Sequence, residues 1–493
     1  MKRFYLVSFL MLFTFYTKAQ QTEHINIGKK VTVFSKVLSE NRKLWIYTPD
    51  ITSLDKSAGK KYPVLYLLDG DAHFFSTAGI VQQLSQANGN GVLPEMIVVA
   101  VENTNRLKDL TPKVNTTDHV NKSNPFVSFL SAELIPYIDS NYSTAPYKLL
   151  AGHSLGGLTV IDILTNFPGL FNAYIAIDPS MWYEHEKFLN QAIDKLPKQN
   201  LNRTKLFIGI ANTMYNGMTL SKLKNDHTPE TQHIRSIFKL DKFLRYSTNG
   251  LKYSQQFYEK ERHNSVPLLS MYDGLRFIFD YYHFDVSEKD FADSTSLIAS
   301  KLGMHYMNVS KEIGYKISAP EALINYFGYD ALFKKQYSKA EAFFTLNMEC
   351  YPGSNNVYDS YADFCLAKKD TNNAITHYKK ALQLKNDATT RSKLNAITNQ
   401  ASYDLTLTEL QKYAGVYTLE TYQISIELEI RDGKLWSKVP GQADSEFLPV
   451  SKDVFTLKDT QGYTITFKMD GDKPLEFTSV QPNGVFKAVL KNK

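Results

Sequence analysis

The segment Leu149–Val160, with the sequence LLAGHSLGGLTV, decides the fold because it sets a glycine-flanked serine between two regular elements. Residues 147–151 form a run typical of a buried strand, and residues 158–167 are compatible with a helix. The Gly-His-Ser-Leu-Gly pattern between them predicts a turn so tight that the flanking positions must lack side chains. We therefore expect Ser154 at the carboxyl edge of a sheet, as a nucleophile on a sharp strand-to-helix turn.

The sequence around this turn alternates short β-rich runs with helical runs over residues 24–290, which predicts a mostly parallel sheet covered by helices. Residues 24–38 and 42–50 resemble an opening pair of antiparallel strands. PVLYLLDG (63–70) and MIVVAVE (96–102) are continuous apolar runs, as expected for strands that are covered on both faces. The predicted fold class is α/β for this part of the chain.

The remaining sequence divides into regions of different character. Residues 1–19 resemble a secretory signal, since Lys2 and Arg3 precede a short apolar run. Residues 291–387 are helical, and small and aromatic residues recur at a spacing of 34, as in Ala340/Ala374, which predicts two tetratricopeptide-like repeats. Residues 388–404 are polar and predict a linker, and residues 405–493 alternate as in a small antiparallel β domain. We assign residues 20–290 to the α/β domain.

Composition narrows the function classes. The net charge is +6, which is too small a surplus to indicate nucleic-acid binding. Because residues 1–19 resemble a signal and no later segment is long and apolar enough to span a bilayer, we expect an exported bacterial protein, periplasmic or secreted. The two cysteines, Cys350 and Cys365, are too few for a metal cluster. The sequence is compatible with a disulfide between them and with two free thiols. We predict neither a metal nor a cofactor.

A serine nucleophile needs a histidine as base and a carboxylate that orients the histidine. Of the eleven histidines, His263 follows a strand and a short polar loop and precedes a helix, where the base should lie. The acid should follow the strand KLFIGIAN (205–212), but no carboxylate stands directly after it. We favour Asp226, with Glu230 and then Asp241 as alternatives, and expect His153 to point away into the packing.

Other residues are candidates for binding the substrate or the oxyanion. The amide of Leu155 begins the predicted helix, and Asp71, or Gly70, could offer a second amide. Trp182 could form an aromatic wall of the site. Two further candidates, Arg106 and Asp109, could bind a polar substrate group or pair with each other.

Several stretches together resemble the family of α/β-hydrolases that contains enterochelin-type siderophore esterases, the esterase D group and feruloyl esterases. They include YPVLYLLDGDAHF (62–74), YKLLAGHSLGGLTVI (147–161), AIDPSMWY (176–183) and ERHNSVPLLSMYDGLRFIF (261–279). The resemblance implies an α/β-hydrolase fold with Ser154 as nucleophile and His263 as base. This chain departs from the family pattern at the acid, since many members carry a Glu where it has residues 212–214.

The sequence thus predicts an α/β-hydrolase fold, a short helical repeat region and a small antiparallel β domain. The predicted activity is an exported serine esterase acting on a small-molecule ester, such as a siderophore, feruloyl or acetylated-sugar ester. Two alternatives stay open. One is a non-catalytic scaffold whose helical repeats bind a protein or peptide partner, and the other is an acyltransferase that uses the same three residues.

Overall fold

The computed structural model describes most of the chain, namely residues 26–49, 59–85, 91–112, 124–246, 249–398, 403, 405–420, 422–458, 460, 463–481 and 484–491. The predicted signal, residues 1–19, lies outside these ranges. The chain divides into two compact units, Met1–His283 and Phe284–Lys493. In the described residues, no helix has the length and apolar character that crossing a bilayer requires.

The first unit is built on an eight-stranded sheet of order β1-β2-β4-β3-β5-β6-β7-β8. Its strands are β1 (Lys29–Ser35), β2 (Glu40–Tyr47), β3 (Tyr62–Leu67), β4 (Ile97–Val101), β5 (Thr144–His153), β6 (Ala173–Ile177), β7 (Lys205–Ala211) and β8 (Lys252–Tyr258). The strand β2 pairs antiparallel with β1 and with β4, which confirms the predicted opening pair. The six strands β4-β3-β5-β6-β7-β8 of this order are parallel to one another. Parallel order brings the carboxyl ends of β5 to β8 to one edge.

Helices lie between these strands. They are α1 (Gly70–Ser85), α2 (Arg106–Leu110), α3 (Pro125–Phe129), α4 (Ile135–Asn141), α5 (Leu155–Asn166), α6 (Tyr183–Lys195), α7 (Leu220–Leu223), α8 (Gln232–Arg245) and α9 (Val266–Ile278). A π-helical turn, Leu130–Leu134, joins α3 to α4, and 3-10 turns occupy Leu196–Lys198 and Pro229–Thr231. The helix α1 contacts α9, whereas α6 contacts α5 and α8. These two groups cover the sheet, and every residue of β3, β4, β6 and β7 is buried, as their apolar sequences predict.

The second unit begins with helices. They are α10 (Glu288–Ala292), α11 (Leu297–Ile313), α12 (Glu321–Phe333), α13 (Tyr337–Cys350), α14 (Asn355–Ala367), α15 (Thr371–Leu384), α16 (Ala388–Thr398) and α17 (Leu407–Gln411). The pairs α12–α13 and α14–α15 pack as two hairpins. Ala340 and Ala374, which are 34 positions apart in the sequence, are both fully buried. Their assignment as tetratricopeptide repeats stays a prediction, and both cysteines are free thiols.

The predicted linker differs from the structure, since residues 388–398 form the helix α16 and pack on α15. Leu394 is buried in the core of the helical region. The ammonium group of Lys393 lies 2.6 Å from the carboxylate of Asp359 and 2.8 Å from that of Asp363. The polar sequence therefore conceals a helix whose half-buried Lys393 is neutralised by two aspartates of α14.

The chain ends in a closed antiparallel barrel, as the alternating pattern predicts. Its strands are β9 (Gly415–Leu419), β10 (Ile424–Arg431), β11 (Lys434–Lys438), β12 (Ser445–Ser451), β13 (Val454–Leu457), β14 (Thr464–Asp470), β15 (Lys473–Gln481) and β16 (Gly484–Leu490). The strand β9 closes the barrel by pairing with both β10 and β16. Aromatic side chains, among them Tyr417, Phe455 and Phe467, fill its core. Closure leaves the barrel without an edge strand.

Candidate active site

Ser154 lies at the sharp turn between β5 and α5. Its backbone has φ 59° and ψ −114°, a strained conformation for a residue with a side chain. Its amide donates to the carbonyl oxygen of Ile177 over 2.9 Å. A Cβ on Gly152 would come within 2.5 Å of the backbone of Gly156, so the strand and helix can pack this closely only without a side chain there. The turn predicted from the sequence is present.

The residues after β6 hold the other side of this turn. The amide of Ser180 donates to the carbonyl oxygen of Ser154 over 3.0 Å, and the two hydroxyl oxygens lie 3.1 Å apart. Ser180 is 3% exposed. The Ser154 hydroxyl is therefore paired with Ser180 in this structure. No sequence pattern singled out Ser180, because its proximity to Ser154 arises only from the pairing of β5 with β6.

Asp178 directly follows β6 and has no exposed surface. Its φ is 42°, which an aspartate adopts more readily than most residues. The amide of Asp178 donates to the carbonyl oxygen of Gly209 over 2.8 Å, and its Oδ1 accepts the amide of Ala211 over 2.9 Å. Strand β7 thus holds both the backbone and one carboxylate oxygen of this residue.

The other oxygen of Asp178, Oδ2, lies within hydrogen-bond distance of two imidazoles. It is 2.6 Å from Nδ1 of His263 and 2.8 Å from Nε2 of His233. Burial would raise the pKa of Asp178, but the hydrogen bonds from His233 and His263 outweigh burial and lower the pKa to about 2. Because an ionised carboxylate only accepts hydrogen bonds, both imidazoles donate to it. His263 therefore carries its proton on Nδ1, and its Nε2 is left as a base.

The same three side chains are of types that bind transition metals. Ligands of a tetrahedral zinc ion, each about 2.1 Å from the metal, lie about 3.4 Å from one another. The distances of 2.6 Å and 2.8 Å from the Asp178 oxygen to the two rings are shorter than this. The contacts fit hydrogen bonds.

Asp226, the residue that we favoured as the acid, lies elsewhere. Its Oδ2 accepts hydrogen bonds from the hydroxyl groups of Thr228, over 2.9 Å, and Thr231. The hydrogen-bonding position on His263 that we predicted for Asp226 is occupied by Asp178. Asp178 comes from the carboxyl end of β6, whereas we expected the acid in the chain after β7. The sequence feature that could have identified Asp178 is an aspartate immediately after a buried strand.

Neither alternative for the acid holds the position on His263 that Asp178 occupies. Glu230 is an exposed residue of the 3-10 turn Pro229–Thr231. Asp241 lies on α8, where its carboxylate accepts from Nε of Arg245 over 2.9 Å and from the hydroxyl of Tyr253 over 2.7 Å. Neither contact is with His263.

His153, which we expected to point into the packing, is buried but packs on His263. Its ring centroid lies 4.5 Å from that of His263. Burial, together with the positive charge that His263 can carry, lowers the pKa of His153 to about 4. A neutral imidazole therefore lies against one face of His263. The sequence offered no signal for this contact beyond the position of His153 next to the serine.

Arg106 and Asp109 do not pair with each other. Arg106 donates from Nε and Nη2 to the two carboxylate oxygens of Asp69, over 2.6 Å and 3.1 Å, and from Nη2 to the carbonyl oxygen of His153 over 3.1 Å. Asp109 is buried and bonds Nη1 of Arg42 over 2.7 Å. Arg106 thus ties the segments before α1 and α5 together and lies beside the site.

The predicted oxyanion donors both lie in the first turn of a helix. Leu155 is the first residue of α5, and Asp71 is the second residue of α1. Amides in a first turn have no acceptor within their own helix. The carboxylate of Asp71 accepts from the backbone amide and the side-chain amide of Asn103, over 3.3 Å each. Both positions suit amides that bind an anion.

Two cavities meet at Ser154 and His263, which line both of them. The larger has a volume of about 660 Å³ and is lined also by Arg106. The smaller has a volume of about 440 Å³ and is lined also by Trp182 and His233. Trp182 is 41% exposed, as suits a side chain on the wall of an open cavity. An ester carbonyl at Ser154 could extend one substituent into each cavity.

Comparison with known proteins finds similarity over the α/β unit. Residues 35–238 match the family described as "Putative esterase". The ferri-bacillibactin esterase BesA of Bacillus subtilis is 30% identical over 173 residues, which are 31% of this chain and 59% of BesA. The uncharacterized protein YbbA of the same organism is 27% identical over 154 residues, which are 29% of this chain and 59% of YbbA. The chain thus spans less than two thirds of the length of these relatives.

Among solved structures, an IroE-like serine hydrolase from Shewanella oneidensis superposes with a TM-score of 0.53 and 26% identity. The match covers 65% of this chain and 99% of that protein. The matched residues 35–238 contain the Ser154 turn and Asp178, whereas His263 lies beyond the match, in the loop between β8 and α9. Over residues 35–238, the α/β unit of this chain is similar to the putative esterase family.

Proposed function

We propose that this protein is a serine esterase that forms an acyl-enzyme on Ser154, with His263 as general base and Asp178 as the orienting acid. One observation carries the proposal. The buried carboxylate of Asp178 bonds Nδ1 of His263 over 2.6 Å, which leaves Nε2 of His263 as the base in a cavity that Ser154 also lines. Asp178 replaces Asp226 in this role.

In the proposed reaction, the Ser154 hydroxyl rotates from Ser180 to His263 and transfers its proton to Nε2 while Oγ attacks the ester carbonyl carbon. The carbonyl oxygen becomes an oxyanion, which the amides of Leu155 and Asp71 stabilise. The carbon–oxygen bond of the ester then breaks, and the alcohol leaves with the proton from His263. Water repeats the sequence on the acyl-enzyme and releases the acid. Asp178 stays ionised and stabilises the imidazolium of His263.

The substrate class that we propose is a siderophore ester. The relative BesA, named a ferri-bacillibactin esterase, supports this class. Cavities of about 660 Å³ and 440 Å³ on the two sides of Ser154 offer space for a branched ester. Trp182 and Arg106 would contact an aromatic and a polar part of the substrate. Feruloyl and acetylated-sugar esters are the comparison substrates, and export to the periplasm or medium is part of the proposal.

The test combines labelling with a substrate screen. A fluorophosphonate probe should label the wild-type protein at Ser154, and p-nitrophenyl acetate and butyrate should be cleaved. Ser154→Ala should abolish labelling and lower kcat/KM by roughly 10⁴-fold or more. Siderophore esters should be preferred over feruloyl and acetyl-sugar esters at equal concentration. A folded wild-type protein that is neither labelled nor active would favour the scaffold alternative.

A further inference from the structure

We propose that His233 is a positioning residue of this site, which holds the carboxylate of Asp178 in the orientation that His263 requires. The inference rests on the proposed function and extends it, since the reaction described above uses Ser154, His263 and Asp178 but gives His233 no part. His233 acts through Asp178, with whose carboxylate it forms a hydrogen bond of 2.8 Å.

The contacts of Asp178 carry the argument. Its Oδ1 accepts the amide of Ala211 over 2.9 Å, and its Oδ2 accepts His263 over 2.6 Å and His233 over 2.8 Å. A carboxylate held by one donor on each oxygen can still tilt about the line that joins the two donors. The third donor, His233, comes from a different element and removes this freedom. The orientation of Asp178 is therefore determined from three directions.

His233 reaches Asp178 because of where its helix begins. It is the second residue of α8, which follows the 3-10 turn Pro229–Thr231 directly. Its ring centroid lies 5.2 Å from that of His263, and the two ring planes are at 88°. Such an edge-on arrangement lets both rings approach one oxygen atom. The side chain of His233 is 18% exposed and lines the smaller cavity.

The shared oxygen also couples His233 to the basicity of His263. Two donors divide the electron density of Oδ2, so each hydrogen bond is weaker than it would be alone. Removal of His233 leaves Oδ2 to His263, which strengthens the hydrogen bond to the imidazolium form. The pH profile of activity should then change. A residue that served only to pack the protein would not produce this change.

The other ionisable groups around His263 stay in place in such a variant. His153, at the end of β5, packs on its ring, and His73 of α1 packs in turn on His153 with centroids 5.5 Å apart. The carboxylate of Asp69 is paired with Arg106. Arg262, beside His263 in the chain, donates to backbone carbonyl oxygens of residues 212 and 214. None of these contacts includes His233.

The experiment compares His233→Leu with His233→Gln and His233→Asn in the full chain. The amide nitrogen of glutamine can occupy the position of Nε2, whereas that of asparagine corresponds to Nδ1 and cannot reach Asp178. We measure kcat and KM for p-nitrophenyl butyrate as a function of pH. His233→Leu and His233→Asn should lower kcat about tenfold with KM unchanged, and shift the acid limb of the profile to higher pH. His233→Gln should recover most of kcat and the wild-type profile.

A second readout needs no turnover. Long-range ¹⁵N–¹H correlation spectra of ¹⁵N-histidine-labelled protein identify the protonated nitrogen of each ring, with His233→Gln used to assign His233. The inference expects Nε2–H on His233 and Nδ1–H on His263. The opposite tautomer of His233 would overturn the inference, as would a folded His233→Leu enzyme with wild-type kcat and pH profile. A wild-type protein without activity or probe labelling would instead overturn the proposed function, and the inference with it.

Discussion

Asp178 shows how a single residue can be strained and still be favoured. Its positive φ of 42° costs about 1–3 kcal/mol, and it has no exposed surface that would solvate its charge. Four hydrogen bonds offset these costs, since its amide and its carboxylate are all paired with β7 or with an imidazole. Strain of this kind persists only where surrounding structure holds it, and for Asp178 that structure is β7 together with the two imidazoles.

The first prediction concerns the identity of the acid. Asp178→Asn should lower kcat/KM for p-nitrophenyl butyrate by about 10³- to 10⁴-fold, because neutral asparagine cannot stabilise the imidazolium of His263 and must turn its NH2 donor toward either the two rings or the amide of Ala211. Asp226→Asn is the matched control, since the carboxylate of Asp226 accepts from the hydroxyls of Thr228 and Thr231, and it should keep activity within about twofold. Loss of activity in Asp226→Asn alone would contradict the assignment.

The second prediction is a pH dependence of stability that depends on His153. Its pKa of about 4 in the folded protein lies below the ordinary value of 6.5, because burial disfavours the charged ring. The unfolded chain therefore binds the proton first, and stability falls as pH falls from about 6.5 to about 4, by about 3 kcal/mol for this group. Urea unfolding of His153→Gln should show a flatter dependence in this window.

The exposed residue His227 supplies the control for that measurement. His227→Gln should leave the pH dependence of the free energy of unfolding at its wild-type slope. Equal slopes for the wild type and His153→Gln would show that burial of His153 does not determine the pH dependence.

At the scale of elements, the packing of β5 against α5 determines the geometry of the serine. The approach is close, since a Cβ on Gly152 would lie 2.5 Å from the backbone of Gly156. A Cβ on Gly156 would in turn lie 2.9 Å from the carboxylate of Asp69, which Arg106 holds. The turn at Ser154 therefore packs closely both on its own helix, α5, and on the segment that precedes α1.

The third prediction follows from this close approach. Gly152→Ala should destabilise the α/β unit by about 1–3 kcal/mol, because the added methyl group meets backbone that cannot move aside. Gly79→Ala is the control, since Gly79 lies within α1 with open space around it, and the change should stabilise by about 0.5–1 kcal/mol. The urea concentration at which probe labelling is lost measures both. A Gly152→Ala protein as stable as the wild type would refute the packing argument.

At the scale of the whole molecule, the site is confined to one of the two compact units. Ser154, Asp178, His233 and His263 all precede residue 283, where the first unit ends. Every strand of the eight-stranded sheet lies in the same unit. The helical region and the barrel belong to the other unit. That its helical repeats bind a protein or peptide partner stays a prediction.

The fourth prediction concerns truncation after His283. Because all the residues of the site and their sheet lie within the first unit, the truncated chain should cleave p-nitrophenyl butyrate with kcat/KM within about threefold of the full chain. Activity on a large siderophore ester and thermal stability are measured beside it. Loss of small-ester activity in a truncated protein with native circular dichroism would show that the second unit contributes to the site.

Much of this protein follows from its sequence because the signals are local. Glycine at 152 and 156 allows a tight turn, and apolar runs of five or six residues predict strands that are covered on both faces. The same local patterns predicted the position of His263 and the antiparallel strands of the C-terminal region. Helix α16 was missed because its sequence is polar, and its half-buried Lys393 gains its partners only in the packed structure.

The partners of the site were decided by tertiary structure alone. Asp178 is 85 positions from His263 and 55 from His233, and Arg106 is 37 from Asp69, so no spacing in the sequence joins them. The order of strands in the sheet places the ends of β5, β6 and β8 together, and a hydrogen bond forms between whichever donor and acceptor meet there. The sequence by itself determined where a nucleophile and a base can lie, and only the folded sheet selected the carboxylate between them.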